Sequence, residues 1–539
     1  MNLVGVVGLV VAAAASAALA VRPADRRVAA ATIVAWWSTL AWLMNRFAMS
    51  DLSLDLVDRF SRSTAPAWLR WSATWASPEG SLLLWVALLA TAAISATGGP
   101  AAVGWRRGIA VASMSAAFVL LGPASPFGLA DGTSAIGAGL NPVLEHPMMS
   151  IHPPVLYLAH SLAVVAALTG PQRRARRFGL AALAVFVIAT MLGAWWAHDE
   201  LGWGGWWAWD PVENTALAPI ALLAAAAHLP GRRSDGERSA NWQRAHRWRA
   251  AGLISVLVGV AVARSGLASS VHSFAPSAAP AALVATWALV VSVAVWRAER
   301  RREPVPHTPR STRAESVIVP LVGAWIAFVV VAAEVAAAWL GTRTPPAALH
   351  GPTVGRALIP AGVALVAGVT VWGIRRRVGV GGLVAHIGVL VFSVGVLASL
   401  FDSSATALIE TGSTMESAVE IDGRSVSIGE QRVTDGEAVG GDGSGQRSVD
   451  VDVMVDGRLF TPSVVQYLDL DRTRARPARR SDWRGETEVV VLYVDADRVR
   501  VEVRRHPGLG AVWVGGGLVA AGAVVSALRW RRGRSEHFG

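Results

Sequence analysis

The sequence predicts an all-α polytopic membrane protein of about 13 transmembrane helices, with one β-rich soluble domain before the last helix. Three observations predict it. Hydrophobic residues make up 53% of the 539-residue chain and charged residues only 16%, against about 25% charged in soluble proteins. Apolar residues fall in long runs, many of them close to the about 20 residues that cross a bilayer. The 49 basic residues are all arginine, and they gather in alternate connections between those runs.

The runs span 2–21, 28–48, 81–98, 108–123, 153–170, 178–197, 212–229, 250–266, 277–296, 317–340, 354–374, 378–400 and 509–528. The first has no basic n-region and is followed by Arg22, Arg26 and Arg27, so it reads as a retained helix and not a cleaved signal. Alternate connections hold 28 of the 49 arginines, among them Arg173 to Arg177, six between 230 and 249, and Arg375 to Arg377. By the positive-inside rule these connections are cytoplasmic, which sets the N-terminus outside and the C-terminus inside. The net charge of +11 is thereby a topology signal and not a nucleic-acid footprint. The absence of cysteine excludes disulfides, thiolate metal sites and a cysteine nucleophile.

Four regions follow: a twelve-helix membrane domain over 1–400, an external tryptophan-rich segment at 195–214 within it, an external β-rich domain over 401–508, and a last helix with a basic tail over 509–539. The β-rich reading rests on period-2 stretches such as Val449-Asp450-Val451-Asp452-Val453 and Val499-Arg500-Val501-Glu502-Val503. No internal repeat is visible, which weakens a transporter built from inverted repeats.

Six of the 24 tryptophans fall between 195 and 209: Trp195, Trp196, Trp203, Trp206, Trp207 and Trp209. An interfacial belt accounts for scattered indoles. Indoles interleaved with Gly204 and Gly205 and followed by Asp210, Pro211 and Glu213 also suit a platform for a large planar ligand such as a porphyrin. On the residues alone both readings stay open.

Here the sequence resembles a family. "WGGWWAWDPVEN" is similar to the tryptophan-rich WWD signature of bacterial cytochrome c maturation proteins. "GLNPVLEHPMMSIHPPVLYLAH" (139–160), "ARSGLASSVHSFA" (263–275), "WASPEGSLLLW" (75–85) and "GLVAHIGVLVFSVG" (382–395) resemble the CcmF haem-lyase branch. The resemblance implies an enzyme of the inner membrane that joins haem vinyl groups to the Cys-X-X-Cys-His thiols of apocytochrome c at the extracytoplasmic face. It further implies a haem chaperone of the CcmE type, a thiol-presenting CcmH-type subunit and a quinol as electron donor. The rival class is a haem exporter or other transporter without ligation activity.

Topology sorts the twelve histidines. His152, at the outer end of the fifth run, and His272, just beyond the eighth, face outside on either side of the tryptophan segment, and a neutral imidazole is a standard axial haem ligand. His228 lies 17 residues past Pro211 and His386 lies 14 residues before Leu400, depths of about 25 and about 21 Å by helix rise. Ionisable residues at such depth are functional candidates. The resemblance makes His228 and His386 the two axial ligands of a stable buried haem b. It makes His152 and His272 the ligands of a substrate haem held against Trp203, Trp206, Trp207 and Trp209. Arg264 suits a haem propionate or a snorkelling position; Asp210 and Glu213 suit orienting an imidazole, setting local charge or capping a helix. His146 and His198 lie near the outer site, and Ala197-His198-Asp199-Glu200 departs from the aromatic pattern of relatives. His160, His246, His307, His350, His506 and His537 match no pattern.

Overall fold

The computed structural model describes residues 2–95, 100–169 apart from 123 and 133–134, 172–201, 211–229, 235–266, 277–300, scattered positions between 363 and 374, 379–410, 418–435, 446–467, 472–482, 485–495 and 497–529. Helices in chain order are α1 (Leu3–Val21), α2 (Arg26–Ala48), α3 (Asp55–Phe60), α4 (Ala67–Ala76), α5 (Pro78–Ser95), α6 (Pro100–Leu121), α7 (Pro147–Leu168), α8 (Gln172–Leu201), α9 (Pro211–His228), α10 (Asp235–Ser265), α11 (Ala278–Arg300), α12 (Val380–Ala398) and α13 (Leu509–Arg529). Among the described residues, eight of these are long and apolar enough to cross a membrane: α1, α2, α7, α8, α10, α11, α12 and α13. The expected runs 81–98, 108–123 and 212–229 fold as α5, α6 and α9. Those at 317–340 and, for the most part, 354–374 lie outside the described residues. The chain is a polytopic, mostly helical membrane protein.

The helices pack in a chain of neighbours: α1 on α2 and α6, α5 on α2 and α7, then α7–α8–α9–α10–α11 in sequence, with α13 lying along α8 and α12 paired to α13. Gly381, Gly388 and Gly395 bring α12 against the backbone of α13 at Gly522, Gly515 and Val512, the close approach that small residues permit in membranes.

One boundary differs from expectation. Helix α7 starts at Pro147, six residues before the run read from the sequence. His146 caps it by accepting the Met148 N–H, and Pro153 and Pro154 sit inside it. A proline inside a helix orphans the carbonyl four residues back. Here Met149 is that residue, and its carbonyl accepts the Trp75 indole N–H at 2.8 Å.

Between α12 and α13 the chain forms ten antiparallel strands: β1 (Ser403–Glu410), β2 (Val419–Ile421), β3 (Arg424–Asp435), β4 (Gln446–Val455), β5 (Arg458–Phe460), β6 (Ser463–Tyr467), β7 (Arg472–Arg476), β8 (Ala478–Asp482), β9 (Gly485–Val494) and β10 (Arg498–Pro507). One sheet runs β1-β10-β9-β8; the other runs β2-β3-β4-β6-β7, with β5 also on β4. Alternation does the sorting: Val499, Val501 and Val503 turn inward while Arg498 and Arg500 stay exposed. Val426, Ile428, Val451 and Val453 of one sheet meet Val489, Val491 and Val501 of the other in a single core. Asp422-Gly423 and Asp456-Gly457, all at positive φ, make the tight hairpin turns that favour Asp-Gly.

Candidate functional site

Histidines gather at two levels of the bundle. At the lower level His228, the last residue of α9, meets His386 of α12, with ring centroids 5.7 Å apart and planes at 81°. Each Nδ1 lies on the carbonyl four residues back in its own helix, His228 on Ala224 at 2.7 Å and His386 on Gly382 at 2.6 Å. A carbonyl can only accept, so each Nδ1 carries the proton and each Nε2 carries the lone pair, the tautomer a metal-ligating histidine needs. Imidazole nitrogen sits about 2 Å from a first-row metal, so two rings at this separation fit one ligated ion between them. His228 is exposed on the flank of the bundle, which leaves room for a flat ligand. The residues present therefore fit a bis-histidine haem.

The upper level is built where α7 packs on α8, toward the end of α8 that meets the strands. His152 is not at a helix entry as its sequence position suggested. It lies five residues inside α7, about 8 Å from that helix's start. It donates Nδ1–H to the Ala189 carbonyl of α8 at 2.9 Å. Its ring also lies where a side chain on Gly193 would stand, 2.8 Å from that absent Cβ. Along α8, Ala189 and Arg176, which reaches the Leu229 carbonyl beside His228, are separated by about 20 Å of helix rise. The two histidine levels are separated accordingly.

Arg264 does not snorkel. It is buried, with Nη1 on the Pro78 carbonyl at 3.0 Å and Nη2 on Ser81 Oγ and Tyr157 Oη at 2.5 and 2.7 Å. It ties α5, α7 and α10 together. Glu213 is buried in the first turn of α9, where a carboxylate opposes the positive helix end. His160 is buried among Trp85, Tyr157 and Phe186.

Trp203, Trp206, Trp207, Trp209, Asp210 and His272 lie outside the described residues. Their anchors are placed. Gly259 of α10 approaches Thr215 of α9, and the Ser277 N–H reaches the Arg264 carbonyl. The described residues that flank 202–210 and 267–276 thus lie at one end of the bundle.

At that same end a polar seam joins α8 to the strands, and sequence reading missed it. His198 bonds Glu486 Oε1 at 2.6 Å, and its ring stands 5.3 Å from that of His506. Asp199 takes His146 at 3.2 Å and Arg479 at 2.7 Å. Arg479 also reaches the His198 carbonyl and Glu488, and Glu200 pairs with Arg474. Burial alone would push His506 down, but the carboxylates of Asp402 at 3.1 Å and Glu488 at 3.6 Å prevail and hold it up at about 9. Burial would raise the Glu488 carboxyl; His506, Arg479 and Arg504 bring it to about 2. The one available signal was the departure at Ala197–Glu200, which turns out to be where the strands attach.

Membrane helices with an imidazole pair between α9 and α12, and a strand-capped end carrying further histidines, define a polytopic membrane protein. Residues 168–268 match the family described as Cytochrome C assembly protein. The chain is 33% identical to the probable cytochrome c-type biogenesis protein NrfE of Escherichia coli, over 66% of this chain and 68% of that one. It is 39% identical to the cytochrome c-type biogenesis protein ccl1 of Rhodobacter capsulatus over 44% of this chain, and 33% identical to CcmF of Escherichia coli over 46%. Those matches span 38% and 41% of the two relatives. A solved structure of cytochrome c haem lyase CcmF shares the fold, with a TM-score of 0.70 over 97% of both chains at 19% identity. The chain belongs to the CcmF/NrfE family of cytochrome c-type biogenesis proteins.

Proposed function

We propose that the chain is a haem lyase of the bacterial inner membrane, attaching haem to apocytochrome c at the extracytoplasmic end where α8, packed on α7, meets the strands. The observation that carries this reading is the meeting of His228 and His386 with both Nδ1 protons committed. A transporter has no need to hold two imidazoles this way between α9 and α12, whereas a protein that keeps a stable haem b does. When bound, haem supplies the vinyl groups that receive the substrate thiols and an iron that takes imidazole ligands. Each thiol adds across one vinyl, carbon–sulfur bond at one carbon and hydrogen at the other, with no net oxidation.

The chain's own part is positioning. His152 and His272 hold the substrate haem in the extracytoplasmic site, and Trp203, Trp206, Trp207 and Trp209 stack on it. Asp210 and Glu213 set the charge beside it, and Arg264 fixes the helices beneath. Placement of two reactants is worth up to about 7–11 kcal/mol when geometry is right. The substrate brings the thiols, which suits a chain without cysteine. Partners in this reading are a CcmE-type haem chaperone, a thiol-presenting CcmH-type subunit and a quinol as electron donor.

The test is haem-stained cytochrome c yield in a strain lacking its own lyase, with the spectrum of each purified variant recorded alongside. His152→Ala with His272→Ala should abolish yield and keep the b-type spectrum; Trp207→Ala or Trp209→Ala should lower yield less. His228→Ala or His386→Ala should remove the spectrum. Normal yield from the first pair would move the ligation to His146 or His198, and a colourless wild-type protein would favour the exporter.

A further inference from the structure

We propose that Arg249, with Arg176 beside it, is the counter-charge site for a carboxylate of the porphyrin held by His228 and His386. The proposal rests on the bis-histidine reading above and deepens it. Arg249 stands at the arginine-rich end of the candidate span Trp242–Ser265, just before the apolar run that opens at Ala250, yet it is 2% exposed. Its Nε and Nη2 are buried without a hydrogen-bond partner, and no carboxylate among the described residues pairs with it. Buried polar groups are nearly always satisfied, and a buried guanidinium without an anion is costly, so each exception asks for an unseen partner. An arginine fork is the donor geometry that suits a carboxylate.

Its position selects the carboxylate. The α9–α10 pair is antiparallel: Gly259 abuts Thr215, and Gly252 abuts Leu222 and Leu223. Continuing that register sets Arg249 opposite Ala225 and Ala226, within about one turn, roughly 5 Å, of the level of His228. The Arg249 stem passes over Gly179 of α8, its Cδ 3.6 Å from where a Cβ would stand. Arg176, one turn earlier on α8, donates to the Leu229 carbonyl and lies within electrostatic reach of both Arg249 and His228. Two cations thus stand at the depth of the imidazole pair, between α8, α9 and α10. A porphyrin ligated there carries two carboxylates on one edge, and one of them supplies the missing anion.

The experiment uses the full chain purified from haem-depleted cells, titrated with iron protoporphyrin and with its dimethyl ester, and reads the low-spin bis-histidine spectrum. Wild type should prefer the free acid by about tenfold or more, about 1.4 kcal/mol. Arg249→Met should bind the acid as weakly as the ester and leave ester affinity unchanged; Arg249→Lys should recover part of the preference. Without porphyrin, Arg249→Met should melt no lower than wild type, because it removes an unpaired buried charge. Wild type that does not distinguish acid from ester, or Arg249→Met that still does, overturns the proposal. So does loss of co-purified anionic lipid from Arg249→Met with the preference intact, which would assign the site to a phosphate headgroup. A wild type with no low-spin spectrum, or one that survives His228→Ala with His386→Ala, fails the bis-histidine reading itself.

Discussion

A histidine held protonated between two carboxylates makes the seam between the strands and α8 sensitive to alkali. His506 is 2% exposed and faces Asp402, Glu488 and His198, with Glu486, Arg479 and Arg504 in the same network. Its pKa is raised from 6.5 to about 9. A group raised on folding contributes stability that is full below its unfolded pKa and lost as pH climbs through the folded one. The window is therefore about pH 6.5 to 9, with an upper bound of about 3 kcal/mol at 1.36 kcal/mol per unit. Glu488, lowered from 4.5 to about 2, adds stability that is full above about pH 4.5 and lost as pH falls toward 2; burial pushes the Asp402 carboxyl up in spite of His506. Tryptic cleavage within the strands of the full chain should rise from pH 7 to 9 about tenfold more in wild type than in His506→Gln. Equal ratios would remove His506 as the titrating group. Little of this seam was legible in the sequence. Charged residues on an alternating strand read as a solvated face, and only the fold reveals that Arg479 and Glu488 of β8 and β9 turn toward His198 and Asp199 of α8.

Among the elements, the α12–α13 hairpin sets where His386 stands. A Cβ on Gly388 would lie 2.6 Å from the Val519 backbone nitrogen and 2.8 Å from the Gly515 carbonyl oxygen. Neither atom can swing aside as a side-chain tip can, so a larger residue must push the helices apart at a cost of about 1–3 kcal/mol. His386 is two residues away and moves with α12. Gly388→Leu should therefore weaken or remove the b-type spectrum while the strands remain resistant to protease; an unchanged spectrum would show that the imidazole pair does not depend on this contact. At this scale periodicity and length served well for α1, α2 and α12, whose spans are uniformly apolar. They misplaced the start of α7, because Pro153-Pro154 has the look of a first turn. What keeps the helix running upstream is a long-range bond, Trp75 to the Met149 carbonyl, which no local pattern contains. The common depth of His228 and His386, by contrast, follows from counting residues along two helices at a fixed rise. The role of Arg249 does not, since an arginine near a span's end is indistinguishable from a topology signal until its burial is known.

For the whole molecule, the ends of the bundle are sorted by charge. Helix α8 begins among Arg173, Arg174, Arg176 and Arg177 and ends at the seam with the strands. Helix α10 begins beside that arginine-rich end, with Arg249 against Gly179, and α13 carries Arg529 away from the strands that precede it. The β-rich segment, His152 and the anchors of 202–210 and 267–276 lie toward the other end. Arginine-rich short connections stay on the cytoplasmic side because translocating them is unfavourable. The strand end should then face outward, the side on which the proposed reaction takes place. Alkaline phosphatase fused after residue 440 should be active and a fluorescent protein fused there dark, with the reverse after residue 240. If the fusion after 440 is active only in the cytoplasm, the arginine ordering fails. The tryptophan segment, His152 and the seam would then all sit on the wrong side for the proposed reaction, while the His228/His386 pair would be unaffected.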